Sequence, residues 1–252
     1  MGLTRDAAAT PADRLQKAAR FDEAYFERET LEHGRGYRFE DVYSKLHPFA
    51  QVWQEMGVRT ALDIGCAKGA FVRALLDHGI DALGVDVSRY AIESSPVKDR
   101  LVWMDPETEA LPFPNDTFDL VSLMETVEHL ELPERTLREA FRVLRPHGML
   151  YLTTPSWKDP RDNDPTHINI RPKAEWLAVL RGMGFRALPR SRRRAFRGAT
   201  FRLQLQNPSW GHAALRLGVP RFGPPGRLAI ALYRTQNLLR LGHPGTQVLA
   251  TK

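Results

Sequence analysis

The run Glu125-Thr126-Val127-Glu128-His129 puts two carboxylates and an imidazole within five residues, just after the apolar segment Leu120-Val121-Ser122-Leu123-Met124. If 125–129 opens a helix, Glu125 pairs by position with Glu128 at i+3 and His129 at i+4. Three such groups on one side can hold a divalent cation. A second imidazole, His167, lies in the stretch Asn163-Asp164-Pro165-Thr166-His167, with Asp162 close by, and is a fourth candidate ligand. Without a cation the same histidines suit a general base, since an imidazole titrates near neutral pH. A purely structural acidic loop is the remaining alternative.

A second constellation lies upstream. Ala61, Leu62 and Ile64 read as a short buried strand, Gly65 and Gly69 as a turn, and Phe71, Val72, Leu75 and Leu76 as the apolar face of a helix. Asp86 closes the next strand, Ala82-Leu83-Gly84-Val85, about twenty residues past the turn, where a carboxylate can accept both hydroxyls of a ribose. Dinucleotide sites carry G-x-G-x-x-G and set a pyrophosphate on the helix N-terminus. Here Asp63 enters the turn, and its charge would repel a pyrophosphate. It suits a ligand that carries an ammonium near its ribose.

With these residues in place, the chain resembles the class I S-adenosylmethionine (SAM)-dependent methyltransferases over about residues 58–190, with a terminal strand at 246–252. Residues 103–130 resemble the family's adenine segment, fourth strand and acceptor-side loop, and 144–156 its entry into strand five. Ala67 and His147 stand where the family usually has glycine. The resemblance implies that Asp63, Gly65, Cys66, Gly69, Asp86, Val87, Asp105, Pro106 and Glu125 bind SAM, with Asp105 facing the adenine amino group. The E-x-x-E-H…H set is similar to that of small-RNA 3′-terminal 2′-O-methyltransferases, in which these positions bind magnesium. A Glu-His loop of the same kind occurs in ubiquinone-biosynthesis O-methyltransferases. By that resemblance Glu125, Glu128, His129 and His167 form a metal site, with Mg2+ expected, and Glu128, His129 and His167 are the catalytic candidates.

The expected fold is α/β: a doubly wound, mostly parallel sheet of seven strands, preceded by helices and carrying a basic insertion before the last strand. Residues 1–57 read as an arm with two cap helices, 58–190 as the SAM-binding core, 191–245 as a Pro-interrupted insertion and 246–252 as the last strand. Within the insertion, 227–241 has helical spacing, with Leu228, Leu232 and Leu239 on one face.

Charge divides the chain. No Asp or Glu follows Glu175, and residues 176–252 carry 13 Arg and one Lys, a net +14. The 22 other basic residues face all 30 acidic ones, so residues 1–175 carry −8. The stretch 189–202, with Phe196 and Phe201 among arginines, suits an anionic partner or a solvated basic face. Cys66 is the single cysteine, so no intramolecular disulfide can form and a reducing, cytoplasmic setting is expected. There, Cys66 reads as a small packing residue. No apolar run approaches the length that crosses a bilayer, and the first residues lack a signal-like hydrophobic stretch. Contact of 191–241 with a membrane surface, or a homodimer contact, is an open option.

The resulting expectation is a SAM-dependent O-methyltransferase. It would act, with a divalent cation, on a hydroxyl of a small-molecule or glycan-like acceptor that is lipid-linked or phosphorylated in some variants of this reading. The alternatives are an RNA ribose 2′-O-methyltransferase, with nucleic acid as partner, and a non-catalytic SAM-binding protein.

Overall fold

The computed structural model describes residues 11–29, 36–155, 164–206 and 246–252. A first helix, α1 (Pro11–Ala18), leads into a tight turn at Ala19–Phe21 and a wide one at Tyr25–Glu29, and α2 follows (Phe39–Glu55). Strands and helices then alternate: β1 (Thr60–Ile64), α3 (Ala70–Asp77), β2 (Asp81–Asp86), α4 (Arg89–Glu93), β3 (Leu101–Trp103) and β4 (Phe118–Met124). The second half contributes α5 (Pro133–Val143), β5 (Leu144–Thr154), α6 (Lys173–Gly182), β6 (Arg186–Ala187), α7 (Arg190–Gln206) and β7 (Thr246–Thr251). These form one sheet of seven strands in the order β3-β2-β1-β4-β5-β7-β6, with β7 antiparallel to both its neighbours. The order reverses between β1 and β4, so a ligand crevice opens at the carboxyl ends of these strands.

Both faces of the sheet are covered, which is why its strands are apolar almost throughout. Successive side chains go to opposite faces. Met149 and Tyr151 join the core under α2, α3 and α7, while Leu150 and Leu152 join the core under α5 and α6. Trp53 and Trp176, one in each core, are fully buried. Truncating such an aromatic typically costs about 3–5 kcal/mol.

The second of the two expected cap helices, α2, is not a cap on the ligand face. It packs Phe49, Ala50, Val52 and Trp53 into the core, and the ligand face is covered instead by the turns at 19–29 and by Tyr37. The expected basic insertion likewise begins as core. In α7, Phe196 lies 5.3 Å from Trp53 between ring centroids, and Ala199 and Thr200 are buried, leaving Arg190, Arg193, Arg194 and Arg197 outside. A buried Phe196 does not stack on a nucleobase. The expected helix at 227–241 and Asp162 fall outside the described residues.

Ala67 and His147 both have left-handed backbone, at φ 48° and 65°. The family's glycine at each position thus answers a conformational demand that this chain meets at a cost of about 1–2 kcal/mol per residue. Among the described residues no helix is long and apolar enough to cross a membrane.

Candidate active site

β1 delivers Asp63 and Ile64 to the crevice, and the chain then turns through Gly65 at φ 75°. A side chain at Gly65 would also collide with Thr126, so the position excludes anything larger. Two amides of the turn, Gly65 N and Cys66 N, donate to Val85 O at 2.9 and 3.2 Å and tie it to β2. Gly69, at φ 74°, starts α3. Asp86 sits between the two loops. Its Oδ2 accepts from Ala67 N and its Oδ1 from Ser88 N, both at 2.7 Å. Each of these oxygens has a second lone pair, which fits a pair of ribose hydroxyls. Asp63 accepts the Ser122 hydroxyl at 2.6 Å. Cys66 is buried against Gly84 and its thiol is pushed up by burial, consistent with packing rather than reactivity.

Burial raises the Asp63 carboxyl to about 7, against the Ser122 bond and with the Asp86 charge adding to the rise. Burial also lifts Asp86 to about 6, against amide bonds from Ser88, Ala67 and Val87. Both values exceed the unfolded value of about 3.9. Between about pH 4 and 7 the native state therefore holds more protons than the unfolded chain, and these two groups stabilise the ligand-free fold as pH falls. A ligand offering an ammonium and hydroxyls favours the ionised forms. SAM affinity is expected to be level above about pH 7. Below it, affinity should fall by up to about tenfold per pH unit for each group that must deprotonate. Calorimetric titration with SAM at pH 5.5 and pH 8 checks this, and equal affinities would remove both carboxylates from the cofactor site.

The residue expected to face the adenine, Asp105, is held by α1. Asp105 Oδ1 accepts from Glu107 N at 3.0 Å and from Lys17 Nζ at 3.4 Å, and Lys17 also pairs with the buried Glu107. Arg14 pairs with Glu109 at 3.0 Å and lies 4.4 Å over the Trp103 ring, whose Nε1 donates to Val87 O. Pro106 is buried and its carbonyl accepts the Thr136 hydroxyl of α5. Sequence reasoning missed Lys17 and Tyr37. Burial and the charges of Asp63, Cys66 and Asp86 push the Tyr37 hydroxyl up, which places it at the turn. No local pattern marks either residue, because each reaches the site from a separate N-terminal element.

On the acceptor side Glu125 has φ 49°, and its amide donates to Thr153 O at 3.0 Å. A single helical turn, Val127–His129, follows. The left-handed residue breaks the expected i, i+3 and i, i+4 relation, so Glu125 is exposed and lies outside the cluster. The other three expected ligands do converge. Glu128, fully buried, and His129 and His167 bring donor atoms within 4.8 Å of one another. The loop carrying His167 is pinned there by Ile168 N and Asn169 N, which both donate to Glu128 O at 2.9 Å. Thr126 Oγ1 donates to Ile64 O at 3.2 Å, so this cluster abuts the glycine turn. Phe21 and Tyr25 stand edge-on to the His129 ring, at 5.5 and 6.5 Å between centroids, and wall the site. Asp164 accepts the Thr166 hydroxyl at 2.6 Å and lies 3.7 Å from His167. Burial works to raise the Asp164 carboxyl. The Thr166 bonds and the nearby histidines outweigh it and hold the group below the usual range.

The sheet order, the glycine turn and the carboxylate closing β2 define a class I, SAM-dependent methyltransferase fold. The comparisons agree: residues 62–152 match the family model described as a methyltransferase domain. The chain is 27% identical over 168 residues to a ubiquinone biosynthesis O-methyltransferase of Pseudomonas fluorescens, covering 60% of this chain and 65% of that protein. It is 32% identical over 99 residues to the 27-O-demethylrifamycin SV methyltransferase of Amycolatopsis mediterranei, covering 36% of each. The match thus spans less than two thirds of either relative. A SAM-dependent methyltransferase structure from Archaeoglobus fulgidus superposes with a TM-score of 0.56 at 19% identity, over 85% of this chain and 95% of that one, a likeness of fold.

Proposed function

We propose that the protein is a SAM-dependent O-methyltransferase acting on a hydroxyl of a small-molecule or glycan-like acceptor, assisted by a divalent cation. The observation that supports it best is the convergence of Glu128, His129 and His167 beside the glycine turn. SAM supplies an electrophilic methyl group on a sulfonium. The chain must therefore hold the acceptor's hydroxyl oxygen in line with that methyl group and remove its proton. Asp86 takes the ribose, Asp63 the amino end and Asp105 the adenine. His129 or His167 accepts the hydroxyl proton where its lone pair is not taken by the cation. A cation held by Glu128, His129 and His167 would supply charge that lowers the pKa of the acceptor hydroxyl and fixes its position, and positioning alone can be worth about 7–11 kcal/mol. Both curated relatives described above are named for O-methyl chemistry.

Two imidazoles and one carboxylate are a mixed donor set. They fit Mn2+, Fe2+ or Zn2+ better than Mg2+, which takes oxygen ligands almost throughout. The test is transfer of labelled methyl from SAM into a polar glycan and glycolipid extract and into total small RNA, with EDTA and then with each metal restored. Label in the glycan pool that EDTA removes and a transition metal restores is the expected result. Label in RNA would establish the ribose 2′-O-methyltransferase instead, and tight SAM binding with no label in either pool would indicate a non-catalytic binder.

A further inference from the structure

The loop that brings His167 to the cluster also carries a hydrogen-bonded chain that the cation does not account for. The Thr166 hydroxyl lies 2.9 Å from His129 Nδ1 and 2.6 Å from Asp164 Oδ1. A hydroxyl has one proton to give. The shorter contact has the length of an O–H···O⁻ bond. The same Asp164 oxygen also receives the Thr166 amide at 2.8 Å, which marks it as the acceptor. Thr166 therefore gives its proton to Asp164 and accepts one from His129. In the neutral imidazole the hydrogen is then on Nδ1 and the lone pair is on Nε2. The other carboxylate oxygen of Asp164 accepts from the Tyr25 hydroxyl at 3.5 Å and lies 3.7 Å from His167 Nε2, so the wall of the site and the second histidine share one anchor.

We infer that Asp164 and Thr166 are positioning residues that fix the tautomer and the ring orientation of His129, so that Nε2 is the atom presented to the acceptor hydroxyl or the cation. This rests on the role given to His129 above. The arrangement follows the general rule that the second nitrogen of a functional histidine is held by a fixed partner, here with a hydroxyl interposed.

The test is a long-range proton–nitrogen NMR spectrum of the full chain labelled with 15N-histidine, recorded near pH 8 and assigned by difference with His129→Gln. The wild type is expected to show His129 with its hydrogen on Nδ1. Thr166→Ser should retain that state. Thr166→Val, similar in shape but without the hydroxyl, should shift the hydrogen to Nε2 and lower kcat about 10–100-fold, with the acceptor KM within about threefold. An Nε2–H tautomer in the wild type, or an unchanged tautomer in Thr166→Val, would overturn the inference. If Thr166→Val does not fold, the wild-type spectrum decides alone. The spectrum needs neither acceptor nor metal, so it separates this inference from the proposed function. A correct tautomer with no methyl transfer refutes only the function, and methyl transfer with the wrong tautomer refutes only the relay.

Discussion

Replacing Asp86 with alanine is expected to weaken SAM binding about 100-fold or more. A carboxylate that receives two ribose hydroxyls makes two charge-assisted hydrogen bonds, each worth about 1.5–3 kcal/mol, and about 2.8 kcal/mol is a factor of 100 in affinity. The structure places Asp86 where both loops of the crevice meet, bonded to Ala67 N and Ser88 N. Its loss therefore also releases the glycine turn. The effect on the ligand-free fold should be smaller, because burial already disfavours the ionised carboxylate and its removal relieves that cost. Calorimetric titration with SAM, paired with thermal unfolding of the ligand-free variant, separates the two effects. An unchanged dissociation constant in a folded Asp86→Ala protein would refute the placement of the ribose.

Glu128→Gln is expected to lower kcat by about 10²–10⁴-fold, the range associated with loss of positioned acid–base or metal assistance, and to leave residual activity that EDTA no longer affects. The substitution keeps the shape of a fully buried side chain and removes its charge. Thermal unfolding of the variant separates a loss of chemistry from a loss of fold. Lost activity with retained stability is the signature of a group kept for chemistry. Glu125→Gln serves as the control for the cation: Glu125 is exposed and outside the cluster, so its variant should keep the EDTA sensitivity of the wild type. Steady-state kinetics with and without EDTA decide the matter. Full activity and unaltered metal dependence in Glu128→Gln would end the cation proposal. Loss of EDTA sensitivity in both variants would return Glu125 to the site.

What the sequence determined by itself was the part written in local patterns. Strands β1 to β5 and the helices between them follow from runs of apolar residues and their period, because burial on both faces of a parallel sheet leaves little freedom in residue type. Asp63, Gly65, Gly69 and Asp86 were legible for the same reason: a tight strand-to-helix turn and a strand-end carboxylate are positions of fixed spacing. Only the tertiary structure decided the rest. Glu125 reads as a helical partner of Glu128 until the backbone at φ 49° turns it outward. The arginines of α7 flank aromatics in the sequence, yet Phe196 is spent on the core, because a helix buries one side whatever its other side carries. Lys17, Tyr37 and Thr166 reach the crevice from segments remote in the chain, and Thr166 meets His129 across 37 residues. Such contacts are made by packing rather than by spacing, so no local pattern records them.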